Sequence, residues 1–144
     1  MAEAIARRLL EQRGATGVEV SSAGTAAWDG APASEGAYLA TLERGLDVSA
    51  HRARQLTTDL VAAADLVLGM SAHHVARAEA LGGKGKSHLL GEYAGASADS
   101  AQVEDPFGGD LDEYRRTFTQ LEALLAVAVE RLADPQADAN QGHD

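Results

Sequence analysis

The apolar run at residues 66–70 constrains the fold of this chain more than any other feature. It is short and partly β-branched, which is typical of a buried parallel strand. Thr57 and Ser71 stand on either side of it, and short polar side chains of this kind cap the free backbone N–H groups at helix starts. The stretch Ser87 to Leu90 predicts another strand. Strands that alternate with helices predict an α/β layer fold with a parallel sheet.

Apolar periodicity predicts three further helices. One runs from the first residue to about Gln12, one covers residues 33–44 and ends at Gly45, and the longest begins at Leu111. Alternation of apolar and polar residues predicts a short strand at 18–20, followed by a loop at 22–25. We expect one domain over residues 1–133 and a disordered polar tail over residues 134–144.

Composition and charge exclude several classes of protein. The chain has no cysteine, which excludes disulfides, thiolate zinc sites and a cysteine nucleophile among these residues. The net charge of −10 argues against a nucleic-acid binder, because that affinity comes from Lys and Arg that neutralise phosphates. A phosphate-bearing substrate is still allowed, since helix N-termini and one arginine can form a local anion site. No apolar run is long enough for a membrane span, and the amphipathic start is not a signal peptide, so we expect a cytoplasmic protein.

Three features could carry chemistry. Asp105 is followed by Pro106 and Phe107 and stands just before the longest predicted helix, so a rigid loop would hold it as a general acid. The alternative is a turn that only caps the helix. His51 lies in a polar, cationic loop and is either a structural hydrogen-bonding group or a catalytic one. Trp28, the single tryptophan, is either part of a small satellite core or the wall of a ligand pocket.

Two further patterns do not support a site. The Gly85-Lys86-Ser87 sequence lacks the earlier glycine of a nucleotide-binding loop and precedes a predicted strand, so we interpret it as a basic turn. His73 and His74 are adjacent on a predicted helix and point about 100° apart, so they cannot readily share a metal ion. We interpret both as solvated surface histidines.

Five segments together resemble the low-molecular-weight protein tyrosine phosphatase family, which includes bacterial protein arginine phosphatases. The segments are Met1-Ala2-Glu3-Ala4, Ser22-Ala23-Gly24-Thr25, His51-Arg52-Ala53-Arg54-Gln55-Leu56-Thr57, Ala64-Asp65-Leu66-Val67-Leu68 and Asp105-Pro106-Phe107. They occur in the family's order and cover the chain from residue 1 to about 133. The resemblance implies a three-layer sandwich in which helices flank a small parallel sheet.

In the family, a strand and a phosphate loop of pattern C-x-x-x-x-x-R-S/T-P precede the methionine that Met1 matches. The resemblance therefore implies that the central first strand and the cysteine loop are missing from this chain. We expect that a start codon has been assigned too far downstream; the alternative is a genuine cysteine-free relative. An arsenate reductase on the same fold would need several cysteines.

The resemblance also assigns roles to individual residues. Asp105 matches the general acid, Ser22 and His51 match the pair that supports the phosphate loop, and Trp28 and Phe107 match the aromatic walls of the substrate slot. No metal and no cofactor are implied. The complete protein is expected to be a monomer that hydrolyses phosphotyrosine, or phosphoarginine, on a protein substrate through a phosphocysteine intermediate. The chain as given is expected to be inactive, and the alternative is a non-catalytic binding or regulatory module.

Overall fold

A computed structural model describes residues 1–97 and 100–133, in which six α-helices, one π-helical turn and two strands follow one another. In chain order they are α1 (Ala2–Gln12), α2 (Glu35–Leu42), α3 (Thr58–Ala63), β1 (Val67–Gly69), α4 (Ala72–Ala78), the π turn (Glu79–Gly83), β2 (Ser87–Leu89), α5 (Leu90–Tyr93) and α6 (Leu111–Ala133). The predicted disordered tail at 134–144 lies outside the described residues.

The helix boundaries follow the capping signals in the sequence. Thr57 Oγ1 accepts a hydrogen bond from Leu60 N–H at 3.2 Å and so caps α3. Gly45 has φ +81°, a conformation that costs glycine little, and it follows the end of α2. The helix predicted after Ser71 forms, and the helical conformation ends at Gly82, which takes φ +107° within the π turn.

The sheet consists of β1 and β2, which pair in parallel with Val67 opposite Ser87 and Gly69 opposite Leu89. Both strands were predicted. The connection between them runs through α4, as a parallel pair requires. The structure thus confirms the predicted α/β class with a small parallel sheet.

The strand predicted at residues 18–20 does not form. Within the described residues, these three make no ladder with β1 or any other segment. Side chains of α1 hold the segment instead: Arg7 Nη2 donates to Val20 O at 2.9 Å, and Ser22 Oγ donates to Glu3 Oε1 at 2.9 Å. The alternating pattern was present, but a strand is stabilised by hydrogen bonds to a neighbour, and the segment has none.

One apolar core joins the helices to the sheet. Helices α1 and α6 pack along each other, α2 packs on α6, and α4 packs on both strands. The buried residues of this core are Ile5, Ala6, Leu90, Val103, Phe118, Leu121, Leu125 and Ala128. Leu68 of β1 packs against the same cluster, and α5 contacts both strands and α6, so the core continues from the sheet to the long helix.

No helix within the described part of the chain is long and apolar enough to cross a membrane.

Candidate active site

Asp105 lies in a tight turn that precedes α6. Its Oδ1 accepts a hydrogen bond from Phe107 N–H at 3.0 Å, and Gly109 N–H donates to Pro106 O at 2.8 Å. Gly108 takes φ +84°, which a residue with a Cβ rarely adopts. The cap of α6 is a different residue, because Asp110 Oδ1 accepts from Glu113 N–H at 2.9 Å. Asp105 is exposed and is not needed to cap the helix, so it is available for proton transfer.

The segment that leads to Asp105 is fastened at the carboxyl end of β1. Val103 N–H donates to Met70 O at 2.7 Å, and Ala72 N–H donates to Gln102 Oε1 at 2.9 Å. On its other side, Gly91 N–H of α5 donates to Ala101 O at 3.1 Å. Ligands of parallel α/β sheets bind beyond the carboxyl ends of the strands. These bonds therefore bring the predicted acid to that end.

The loop that carries Trp28 is tied to the segment after His51. Ala27 N–H donates to Gln55 Oε1 at 2.9 Å, and Gln55 N–H donates to Asp29 Oδ1 at 2.6 Å. Isolated bridges at Gly24–Gln55 and Pro32–Arg52 add backbone hydrogen bonds at both ends of the loop. Trp28 is 86% exposed, which argues against a satellite core, and it is not among the residues that line the two cavities described below, so its role as a pocket wall stays a prediction. Phe107 is 79% exposed as well.

Ser22 and His51 line the same cavity, of about 220 Å³. The other residues of its lining are Ala23, Gly24, Ala27, Ala53 and Arg54. Arg54 Nε donates to Ser22 O at 3.0 Å, which places a guanidinium beside the serine in a chain whose net charge is −10. Ser22 Oγ donates to Glu3 of α1, so the serine already has a partner in this chain.

Four of the five predicted site residues fall into two groups. Ser22 and His51 share the cavity, while Asp105 and Phe107 share the acid turn. Within the described residues no hydrogen bond joins that turn to the cavity lining. A second cavity, of about 340 Å³, lies between the starts of α2 and α6 and includes Gly109 of the acid turn in its lining.

His74 is the residue that sequence reasoning misjudged. It is half-buried, and its Nδ1 accepts a hydrogen bond from Ser71 N–H at 3.3 Å, so it is part of a capping box and not a solvated surface histidine. Burial lowers the pKa of His74, the positive charge of His73 lowers it further, and the negative charge of Asp105 acts in the opposite direction. A polar residue three positions after a serine cap was the signal available in the sequence.

No group of three or more metal-binding side chains occurs among residues 1–97 and 100–133.

The pKa of the Met1 amino group is lowered because the group is buried against the core, and Glu3 opposes this effect.

Comparison with known proteins identifies relatives along most of the chain. The family model for low molecular weight phosphotyrosine protein phosphatase matches residues 1–137. A protein-arginine-phosphatase of Geobacillus stearothermophilus is 35% identical over 136 residues, which cover 92% of this chain and 88% of the relative. A probable low molecular weight protein-tyrosine-phosphatase, EpsP of Ralstonia solanacearum, is 33% identical over 128 residues, with 88% and 77% covered.

A solved structure agrees with the fold. The crystal structure of a YwlE mutant from Bacillus subtilis superposes with a TM-score of 0.82 at 34% identity, covering 91% of this chain and 87% of the other. With the family model and these relatives, the agreement in sequence and fold shows that the chain belongs to the low-molecular-weight phosphotyrosine protein phosphatase family.

Proposed function

We propose that this chain supplies the general acid, the substrate-slot walls and the phosphate-loop support of a protein phosphatase that works through a phosphocysteine intermediate. The observation that carries the proposal is the placement of Asp105, exposed in a rigid turn at the carboxyl end of β1 and free of any capping role. A general acid needs this kind of fixed, accessible position. The relatives that match the chain are named as phosphatases, which does not favour a non-catalytic module.

In this proposal Asp105 works twice. It first gives its proton to the leaving oxygen or nitrogen as a thiolate sulfur attacks phosphorus and the bond from phosphorus to the leaving atom breaks. The resulting carboxylate then takes a proton from the water that attacks phosphorus and releases the sulfur as thiolate. Ser22 and His51 would hold the loop that carries the thiolate, and Arg54 would keep Ser22 in place through its hydrogen bond to Ser22 O.

The nucleophile is not among the 144 residues, since these include no cysteine. We therefore expect the chain alone to turn over aryl phosphates no faster than background. A protein in which a strand and a C-x-x-x-x-x-R-S/T-P loop precede Met1 should be active. In that extended protein Asp105→Ala should lower kcat by roughly 10²-fold or more, the usual size of a general-acid effect.

The matched control for this test is Glu104→Ala, which removes the neighbouring exposed carboxylate. It should leave kcat nearly unchanged. Activity of the 144-residue chain itself would exclude the phosphocysteine mechanism, and an unaltered kcat for Asp105→Ala with a poor leaving group would remove Asp105 from it.

The substrate is phosphotyrosine or phosphoarginine on a protein, and specific observations favour each. The exposed indole of Trp28 can stack on a phenyl ring, which is worth about 0.5–1.5 kcal/mol beyond area burial. Gly108 has open space where a side chain would stand, which leaves room in the acid turn for a planar guanidinium, whereas a Cβ at Gly109 would meet Glu113. Relatives named as arginine phosphatases are 35% identical to this chain. We favour phosphotyrosine because Trp28 offers a positive contact whereas Gly108 only provides space.

The test is kcat/KM of the extended protein for a phosphotyrosine peptide and a phosphoarginine peptide, each with and without Trp28→Ala. A tenfold preference for phosphoarginine that Trp28→Ala does not alter would reverse the assignment.

We also infer a cytoplasmic monomer that does not act on nucleic acid. The net charge of −10 supports the inference that the protein does not bind nucleic acid.

A further inference from the structure

The cavity between the starts of α2 and α6, here called the α2–α6 groove, has a volume of about 340 Å³, and the proposed function does not use it. Tyr114 is the most deeply buried residue of its lining, and its hydroxyl accepts a hydrogen bond from Ser34 Oγ at 3.2 Å. Gly36 lets α2 approach the tyrosine ring, because a Cβ at Gly36 would overlap that ring. Packing and a hydrogen bond therefore fix the floor of the groove in the free chain.

The walls of the α2–α6 groove offer apolar surface to a ligand. Leu39 of α2 and Leu111 of α6 line it, and Leu39 is 39% exposed. Ligand pockets in proteins usually have volumes of about 300–1,000 Å³, and the groove lies at the lower end of this range. Its size therefore suits one long side chain of a larger ligand.

The rim of the groove is acidic. Glu35 is exposed and belongs to the lining, and the carboxylate of Glu113 stands against Gly109, where a Cβ would meet it. Neither glutamate forms an ion pair within the part of the chain that the structure describes. Arg115, close by on α6, is already bonded to two other carboxylates. The groove therefore favours a cationic ligand.

The groove shares a turn with the proposed general acid. Gly109 lines the groove, and its N–H donates to Pro106 O at 2.8 Å, which closes a turn that begins directly after Asp105. The Cα atoms of the first and fourth residues of such a turn lie within about 7 Å of each other, and neighbouring Cα atoms are about 3.8 Å apart. The Cα atoms of Asp105 and Gly109 are therefore within about 11 Å, which is roughly three residues of extended chain.

We propose that the α2–α6 groove is a specificity subsite that binds a lysine or arginine side chain of the protein substrate, about two to four residues from the phosphorylated residue. This proposal rests on the proposed function. The methylene groups of the side chain pack on Leu39 and Leu111, and its charged end reaches Glu35 and Glu113 at the rim. Long cationic side chains commonly bury their stems in this way while the charge stays in water.

The experiment is an NMR titration of the ¹⁵N-labelled 144-residue chain with phosphotyrosine peptides, which needs no catalytic activity. Each peptide carries one lysine, placed two, three or four residues to either side of the phosphotyrosine, and has a partner peptide with glutamate in place of the lysine. At least one lysine peptide should shift the amide signals of Gly36 and Gly109, and its glutamate partner should not. Glu35→Gln should raise the Kd of that lysine peptide by roughly two- to fivefold, the size of an exposed ion pair.

Leu39→Ala tests the apolar wall, and Leu42→Ala is its matched control. Both leucines lie on α2 with similar exposure, 39% and 46%, but only Leu39 lines the groove. Leu39→Ala should weaken binding of the lysine peptide, and Leu42→Ala should not. Equal binding of lysine and glutamate peptides, or equal losses in the two leucine variants, would overturn the proposal. Groove signals that shift with protein concentration in the absence of peptide would assign the groove to a second copy of the chain and would overturn it as well.

The titration is independent of turnover, so the two proposals can fail separately. If Asp105→Ala lowers kcat in the extended protein but no peptide shifts the groove signals, the general acid stands and the subsite is refuted. If the lysine peptide binds the groove but Asp105→Ala leaves kcat unaltered, the peptide site stands and the phosphatase role of Asp105 is refuted.

Discussion

Gly91 packs directly against the segment that leads to Asp105, so adding one methyl group at Gly91 should disturb that segment. A Cβ at Gly91 would overlap the backbone of Ala101, including its Cα, carbonyl carbon and oxygen. Ala101 cannot move aside easily, because the chain that follows it is bonded at Gln102 and Val103 to the β1–α4 junction. We therefore expect Gly91→Ala to destabilise the fold.

Two effects of Gly91→Ala oppose each other, and their sizes decide the sign. Extra volume in a packed site costs about 1–3 kcal/mol, and the upper end applies where the obstacle is backbone. Alanine at a helical position gains up to about 1 kcal/mol over glycine. The free energy of unfolding should fall by about 2 kcal/mol, which lowers Tm by roughly 4–8 °C for a domain of this size.

Circular dichroism at the helical band is the appropriate assay for Gly91→Ala. Fluorescence is a poor reporter here, since Trp28 is 86% exposed in the folded chain. Glu92→Ala is the matched control on the same helix, exposed and expected to stay within about 0.5 kcal/mol. A rise in Tm for Gly91→Ala would mean that helix propensity dominates and that α5 does not press on Ala101.

Two further predictions concern stability. The pKa of the buried Met1 amino group lies below its ordinary 8.0, so the unfolded chain binds the proton more tightly, and the free energy of unfolding should rise as pH increases from the folded pKa towards 8. Acetylation of the amino group, checked by urea unfolding at about pH 7 and 9, should abolish that rise; an unaltered slope would contradict the burial. Thr57→Ala should cost about 1 kcal/mol in urea unfolding by removing the cap on Leu60 N–H, whereas Thr57→Ser should cost little; equal losses would rule out the cap.

Local signals in the sequence were sufficient for most of the helices and for both strands. Thr57 and Ser71 mark helix starts through hydrogen bonds within three residues, which is why their positions can be read from the sequence. The strand predicted at 18–20 did not form because strand pairing depends on which segment lies beside it in space. Alternation of apolar and polar residues specifies which side chains would share a face of the strand, but it does not provide a neighbouring strand to pair with.

The candidate site could likewise be predicted only in part from the sequence. Asp105 was predicted as a general acid from its rigid flanking residues, and the structure shows that Asp110 caps α6 instead of Asp105. His74 was misjudged although its bond to the Ser71 N–H is local, because the capping-box pattern after Ser71 was overlooked. The exposure of Trp28, which a sequence does not state, argues against a satellite core and leaves its role as a pocket wall a prediction.

The hydrogen bonds between the Trp28 loop and the chain after His51 have a consequence for how substrate preference can diverge in proteins of this kind. Gln55 alone bonds to Thr25, Ala27 and Asp29, so the loop cannot shift relative to the cavity wall without breaking these hydrogen bonds. Inserting or deleting residues in the loop would break these hydrogen bonds and would displace His51 and Arg54 as well. If Trp28 acts as the proposed substrate-slot wall, a change of substrate is therefore expected to come from exchange of the side chain at position 28 and not from a change of loop length.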